Sequence, residues 1–192
     1  MKTLTSTAII LLFSFLSFAA TITVNNRPQG VAMYTNLQTA IYGASIGDTI
    51  LIHNSGTSYG NIILDKTLHL MGEGYLNSTT SLARLTQVGS ITFKDTVVNA
   101  SGSSIRSLYT GLISGTIVKA TVDNVTIEDC FHFQNYTYPV IQVCGNDWVI
   151  NRCKSNTAGY GTQLHIYGYQ IRVSNSYYYG IYALSGSTTP SA

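Results

Sequence analysis

The 192-residue chain has a formal charge of +2, and only 9% of its residues are charged, against roughly 25% in ordinary globular domains. It contains no run of Lys or Arg, so there is no electrostatic footprint for phosphate backbones or anionic lipid, and nucleic-acid and membrane-surface partners are set aside. Gly, Ser, Thr, Asn and fourteen Tyr stand where charges are usual and make a neutral, hydroxyl-rich surface.

Lys2 precedes an apolar run from Ala8 to Phe18 that ends in Ser17-Phe18-Ala19. This pattern reads as a secretory signal peptide over residues 1–19, too short to span a bilayer comfortably, with a small-x-small cleavage site. The expected location is outside the cell or on its surface. Residues 20–186 are long enough for one domain with a sizeable core, and residues 187–192 form a polar tail with no cap, so the chain reads as ending on an open edge or continuing in a longer protein. Three cysteines fit export but cannot all pair within one chain.

After an extended start at 21–24, the spacing predicts a helix over 35–43, with Thr35 as its cap and Leu37, Ala40, Ile41 and Ala44 in one apolar stripe. Gly43 is placed to end it. Gly47 and Asp48 then turn the chain into a strand at 49–53, and further strands are predicted at 62–64 and 67–71, closed by Gly72-Glu73-Gly74.

Past residue 90 the chain repeats. Segments 118–130, 141–153 and 164–176 align without a gap at an offset of 23. The alignment superposes Val118, Ile141 and Leu164; Ala120, Val143 and Ile166; Val125, Trp148 and Ile171; Ile127, Ile150 and Val173; and Cys130, Cys153 and Ser176. An earlier copy fits one residue short, with Ile105 under Ile127 and Leu108 under Cys130. Within each copy apolar residues alternate, as strands with one inward face require, and Gly, Asn, Asp and Ser separate the copies. The period is too short for a propeller blade, the leucine-asparagine signature of leucine-rich repeats is missing, and period-two alternation excludes helical repeats. The prediction is an all-β right-handed parallel β-helix of about 23 residues per turn and roughly six turns, its first turn covered by the helix at 35–43.

Residues 34–52, Tyr-Thr-Asn-Leu-Gln-Thr-Ala-Ile-Tyr-Gly-Ala-Ser-Ile-Gly-Asp-Thr-Ile-Leu-Ile, and 58–74, Ser-Tyr-Gly-Asn-Ile-Ile-Leu-Asp-Lys-Thr-Leu-His-Leu-Met-Gly-Glu-Gly, resemble the N-terminal cap and first turns of pectin-lyase-like β-helix proteins, especially exported β-helix proteins of Bacteroidetes-type bacteria. That superfamily holds lyases, hydrolases, esterases and adhesins, so the resemblance speaks to fold before activity. A methylesterase would bring paired aspartates with glutamines and an arginine, a pectate lyase a calcium-binding carboxylate cluster beside an arginine, and a polygalacturonase an Asp-Asp pair with Gly-His-Gly. None of these patterns stands here. The chain has eight acidic residues, and the best cluster a β-helix would build from them is Asp123, Asp147, Glu128 and Asp129, with Arg152 and His165 a turn away. Its register favours ion pairs between neighbouring turns, Arg106 with Glu128 and Asp129 with Arg152.

His53, His69, His132 and His165 show no metal-ligand spacing, so satisfied or surface histidines are expected, with no metal and no cofactor. Cys130 and Cys153 read as an inward ladder continued by Ser176, with parallel side chains poorly aimed for a disulfide. Nine tyrosines lie from Tyr136 onward; they form either outward stacking ladders or a sugar-binding surface. The candidate binding residues are Gln142 and His165, outward on neighbouring strands, with Tyr167 and Tyr169 flanking Gly168. Two functions stay open: a non-catalytic exported module that binds glycan or serves as a surface scaffold, with a polysaccharide as partner and a monomeric state unless an open C-terminal rung pairs; or a polysaccharide lyase or glycoside hydrolase with an unrecognised or truncated active site.

Overall fold

The computed structural model describes residues 19–74, 85–94, 100–115, 122–133, 139–155, 163–178 and 180–183. Residues 1–18, Val118, Ala120, Tyr136, Tyr138, Tyr160, Tyr179 and residues 187–192 lie outside them. Among the described residues the regular elements are short parallel strands and one helix.

Three sheets run side by side. The first has seven strands: β1 (Thr21–Val24), β2 (Thr49–Ile52), β4 (His69–Gly72), β7 (Ser104–Arg106), β10 (Thr126–Glu128), β13 (Val149–Asn151) and β16 (Arg172–Ser174), stacked in that order. The second has four: β5 (Gln87–Val88), β8 (Tyr109–Thr110), β11 (Phe131–His132) and β14 (Lys154–Ser155). The third has six: β3 (Ile62–Leu64), β6 (Ile91–Phe93), β9 (Ile113–Gly115), β12 (Ile141–Val143), β15 (Leu164–Ile166) and β17 (Ile181–Ala183). From β7 to β15 the chain visits first, second and third sheet in rotation, so each strand pairs with the one a full circuit earlier.

Inward side chains stack on their own kind. Ile22, Ile50, Leu70, Ile105, Ile127, Ile150 and Val173 are paired in register along the first sheet, and all are buried. In the third sheet Ile62, Ile91, Ile113, Ile141 and Leu164 make the corresponding column. Each apolar side chain is thus covered from above and below by the next rung, about 4.8 Å away, which no rung achieves alone.

The expected offset of 23 holds for Ile127, Ile150 and Val173, for Ile141 with Leu164, and for Val143 with Ile166. It fails for Val118. The residue beneath Ile141 is Ile113, 28 positions earlier. The circuit containing β7 has a short link from second to third sheet and a long one from third to first, whereas the circuit after it has the reverse. The two lengths compensate, so Ile105 to Ile127 still spans 22 residues while the third-sheet partner moves.

The corners are built from left-handed residues in columns. Ser107, Asp129, Arg152 and Asn175 turn the chain from first to second sheet with φ between 50° and 56°. Gly102, Asn124, Asp147 and Gln170 do the same between third and first sheet, with φ of 78°, 58°, 59° and 56°. Asn, Asp and Gly suit this region; Arg and Gln hold it because the neighbouring rungs determine the path.

Helix α1 runs over Leu37–Gly43 rather than 35–43, and its cap is Asn36, not Thr35: the Asn36 Oδ1 accepts from the Thr39 amide at 2.9 Å. Asn36 stands immediately before the first helical residue, where its side-chain oxygen reaches the third helical amide. Leu37, Ala40 and Ile41 are buried. Gln38 acts as a substitute strand: its Oε1 accepts from the Ile63 amide at 2.8 Å and its Nε2 donates to the Ile63 carbonyl at 3.1 Å, satisfying the open edge of β3. Lys66 Nζ donates to the carbonyls of Tyr42 and Ala44 at the helix end.

Candidate functional site

The outer face of the third sheet carries the candidate binding residues. Gln142 and His165 pair in register on β12 and β15, and each is flanked by buried neighbours, Ile141 with Val143 and Leu164 with Ile166, so alternation turns both outward. Tyr167 continues this face beyond β15, its ring edge-on to His165 with centroids 6.3 Å apart. The rung below fixes its backbone, because the Tyr167 amide donates to the Val143 carbonyl at 3.0 Å.

Gly168 makes the corner. A Cβ on Gly168 would overlap the Gly145 carbonyl, and one on Gly145 would overlap that of Val122, so rungs approach here with no room for any side chain. Beyond the corner Tyr169 is 58% exposed. Its amide donates to Asn146 Oδ1 at 3.0 Å, and the Asn146 amide in turn donates to Asp123 Oδ1 at 2.7 Å. This ladder of side chain to next-rung amide holds the corner rigid. Gln142, His165 and Tyr167 are therefore brought onto one face, with Tyr169 at its rim.

The carboxylates meet structural partners. Arg152 donates to both Asp129 oxygens, at 2.7 and 2.8 Å, and Arg106 Nη2 lies 3.1 Å from Glu128 Oε2. The hydrogen bond from Arg152 holds the Asp129 carboxyl below the usual carboxylate range, against the opposing effect of burial. Asp48 accepts from the amides of Ala20 and Ser45, and Glu73 from the Asn54 amide, with His53 at 2.7 Å. The expected acidic cluster is split: Asp123 precedes β10 at one corner, whereas Glu128 and Asp129 lie at the other end of that strand.

Two features escaped sequence reasoning. The outward second-sheet aromatics form a ladder, Tyr109 stacked on Phe131 with centroids 5.5 Å apart and on Phe133 at 4.5 Å. Their faces cover one another, which is the stacking role. His132, expected to be satisfied or exposed, is instead fully buried, and neither ring nitrogen has a hydrogen-bond partner. It sits in the second sheet's inward column between Thr110 and Ser155.

Cys130 and Cys153 point inward beside it, and neither is in a disulfide. The Cys153 amide donates to Ser176 Oγ at 3.0 Å, so the serine continues the ladder as expected. Burial pushes the Cys130 thiol up, while its hydrogen bond to Cys153, helped by His132, draws Cys153 below the ordinary thiol range. Among the described residues no group of three or more His, Cys, Asp and Glu side chains is placed to hold a metal ion, and no helix is long and apolar enough to cross a membrane. No family model, curated protein or solved structure matches this chain.

Proposed function

We propose that this chain is a right-handed parallel β-helix of the pectin-lyase-like kind, exported from its cell, and that it serves as a non-catalytic glycan-binding or cell-surface module. The rotation of the chain through three parallel sheets supports the coil, and the right-handed preference of parallel crossovers supports its hand. The observation that carries the function is the neutral face of Gln142, His165 and Tyr167 with Tyr169 exposed at its rim. An aromatic ring stacks on the apolar face of a pyranose, and amide and imidazole groups exchange hydrogen bonds with its hydroxyls without needing charge. The engagement of Asp129, Glu128, Asp123 and Asp48 in links between rungs and turns favours binding over the lyase or hydrolase alternative, which needs two carboxyls facing one sugar.

A glycan array tests this directly. Weak retention on a neutral or mildly acidic polysaccharide is expected, little changed by salt. The double variant Tyr167→Ala, Tyr169→Ala is expected to lose retention while keeping its far-UV β signal. An array with no hits removes the binding function. Release of unsaturated or reducing ends, lost on changing Asp147 or Arg152, puts an enzyme in its place.

A further inference from the structure

We propose that the Asp48 carboxylate is a built receptor for the α-ammonium created when the Ala19–Ala20 bond is cut, and that this processing fastens the first rung of the stack. The inference rests on the export reading, in which the leader is removed after Ala19. Residues 19–21 are exposed, so that bond lies at the surface, immediately before β1 begins. Beside it stands Asp48, only 5% exposed. Its Oδ1 accepts from the Ala20 amide at 2.8 Å, and its Oδ2 accepts from the Ser45 amide at 2.7 Å.

Backbone bonds on three sides fix this carboxylate before any ammonium exists. The Asp48 amide donates to the Ser45 carbonyl at 3.1 Å, the His69 amide to the Asp48 carbonyl at 3.0 Å, and the Thr49 amide to the Ala20 carbonyl at 2.9 Å. Asp48 thus stands at the head of β2, held between the starts of β1 and β4.

A buried carboxylate without an opposite charge is costly. Among the described residues Glu73, Glu128 and Asp129 each have a basic partner, and Asp48 has none. Lys66 donates instead to the carbonyls of Tyr42 and Ala44. Hydrolysis of the Ala19–Ala20 bond supplies the missing charge. Water gives its hydroxyl to the Ala19 carbonyl carbon and its remaining hydrogen to the Ala20 nitrogen; the new carboxylic acid then passes its proton to that nitrogen, leaving a carboxylate on the leader and an ammonium on Ala20. One N–H of the ammonium keeps the former amide's acceptor, Asp48 Oδ1, and exposure leaves the other two to water. A neutral hydrogen bond becomes a charge-assisted one whose partner is already in place. β1 is the terminal strand of its sheet, and a bridge from Val24 to Tyr34 holds its far end. The new ion pair fastens the near end, so the processed chain is more stable than its precursor.

The test is urea unfolding of the chain of residues 20–192, released from a cleavable fusion, with its α-amine either free or acetylated enzymatically, in the wild type and in Asp48→Asn. The acetyl group restores an amide N–H on Ala20 and removes only the charge. In the wild type, acetylation is expected to raise the unfolding equilibrium constant about tenfold, the margin of a charge-assisted over a neutral hydrogen bond. Asp48→Asn alters the Ser45 contact in both forms alike, so there acetylation is expected to change the constant by less than about twofold. N-terminal sequencing of the exported protein is expected to begin at Ala20. Equal unfolding of the free and acetylated wild type overturns the proposal, as does an undiminished acetylation effect in Asp48→Asn, or an exported chain that starts at another residue. An exported or cell-retained chain that keeps residues 1–19 sinks the export reading and this inference with it, whereas a start at Ala20 with no acetylation effect sinks this inference alone. The wild-type comparison needs no substitution, so it decides the outcome even if Asp48→Asn fails to fold.

Discussion

The inward columns of the first and second sheets obey one geometry and hold opposite chemistry. The first is seven aliphatic side chains deep, from Ile22 to Val173, with no polar group. The second runs Val88, Thr110, His132, Ser155. Thr110 gives its hydroxyl to the Gly89 carbonyl at 2.9 Å, but the His132 ring finds no such partner. The first column is therefore the molecule's stability, and the second is the place where stability has been surrendered for polar groups in the interior.

Breaking the first column is expected to have the largest effect. Ile150→Asp puts an unpaired carboxylate between Ile127 and Val173, at a penalty of several kcal/mol, comparable to a whole domain's roughly 5–15 kcal/mol. The variant is expected to be unfolded or aggregated by circular dichroism and sedimentation. Melting within a few degrees of wild type would place Ile150 outside the core.

Gly145→Ala attacks the same stack through the backbone. Its new methyl overlaps the Val122 carbonyl, so the rungs must part, and a loss of about 1–3 kcal/mol is expected in urea unfolding. The second column is expected to respond with the opposite sign. His132→Met removes an unsatisfied polar group and leaves a flexible apolar filler, and should raise unfolding free energy by about 1 kcal/mol. A loss instead would mean that the imidazole is held by an interaction stronger than its burial penalty.

The smallest effect belongs to the outer ion ladder. The Asp129 carboxyl is lowered in the folded state, so its contribution is present above the unfolded value of about 3.9 and is lost as pH falls through the folded value. Asp129→Asn is expected to be less stable than wild type by under about 1 kcal/mol at neutral pH, because the pair is exposed, and the two melting curves should converge across the acid range below the unfolded value. A constant gap across that range would mean that the loss is one of packing.

In this molecule a residue's nearest tertiary neighbour is one circuit away along the chain, so much of the packing was legible as periodicity. The column of Ile127, Ile150 and Val173, the ladder of Cys130, Cys153 and Ser176, and the pairs Arg106 with Glu128 and Asp129 with Arg152 all follow from an offset of 22 or 23. The outward placement of Gln142 and His165 follows from alternation within one strand.

What only the tertiary structure decided lies at the corners and links. A left-handed residue interrupts alternation: Ile127 and Cys130 both point inward although three positions apart, because Asp129 at φ 52° resets the parity. The same reset sends Phe131 outward and His132 into the core, against a histidine's usual preference for water. Link lengths trade against one another within a nearly constant circuit, which hid Ile113 beneath Ile141. Periodicity reports the length of a circuit, whereas the division of that length among three sheets is set by which strands find partners, and that is a property of the assembled stack.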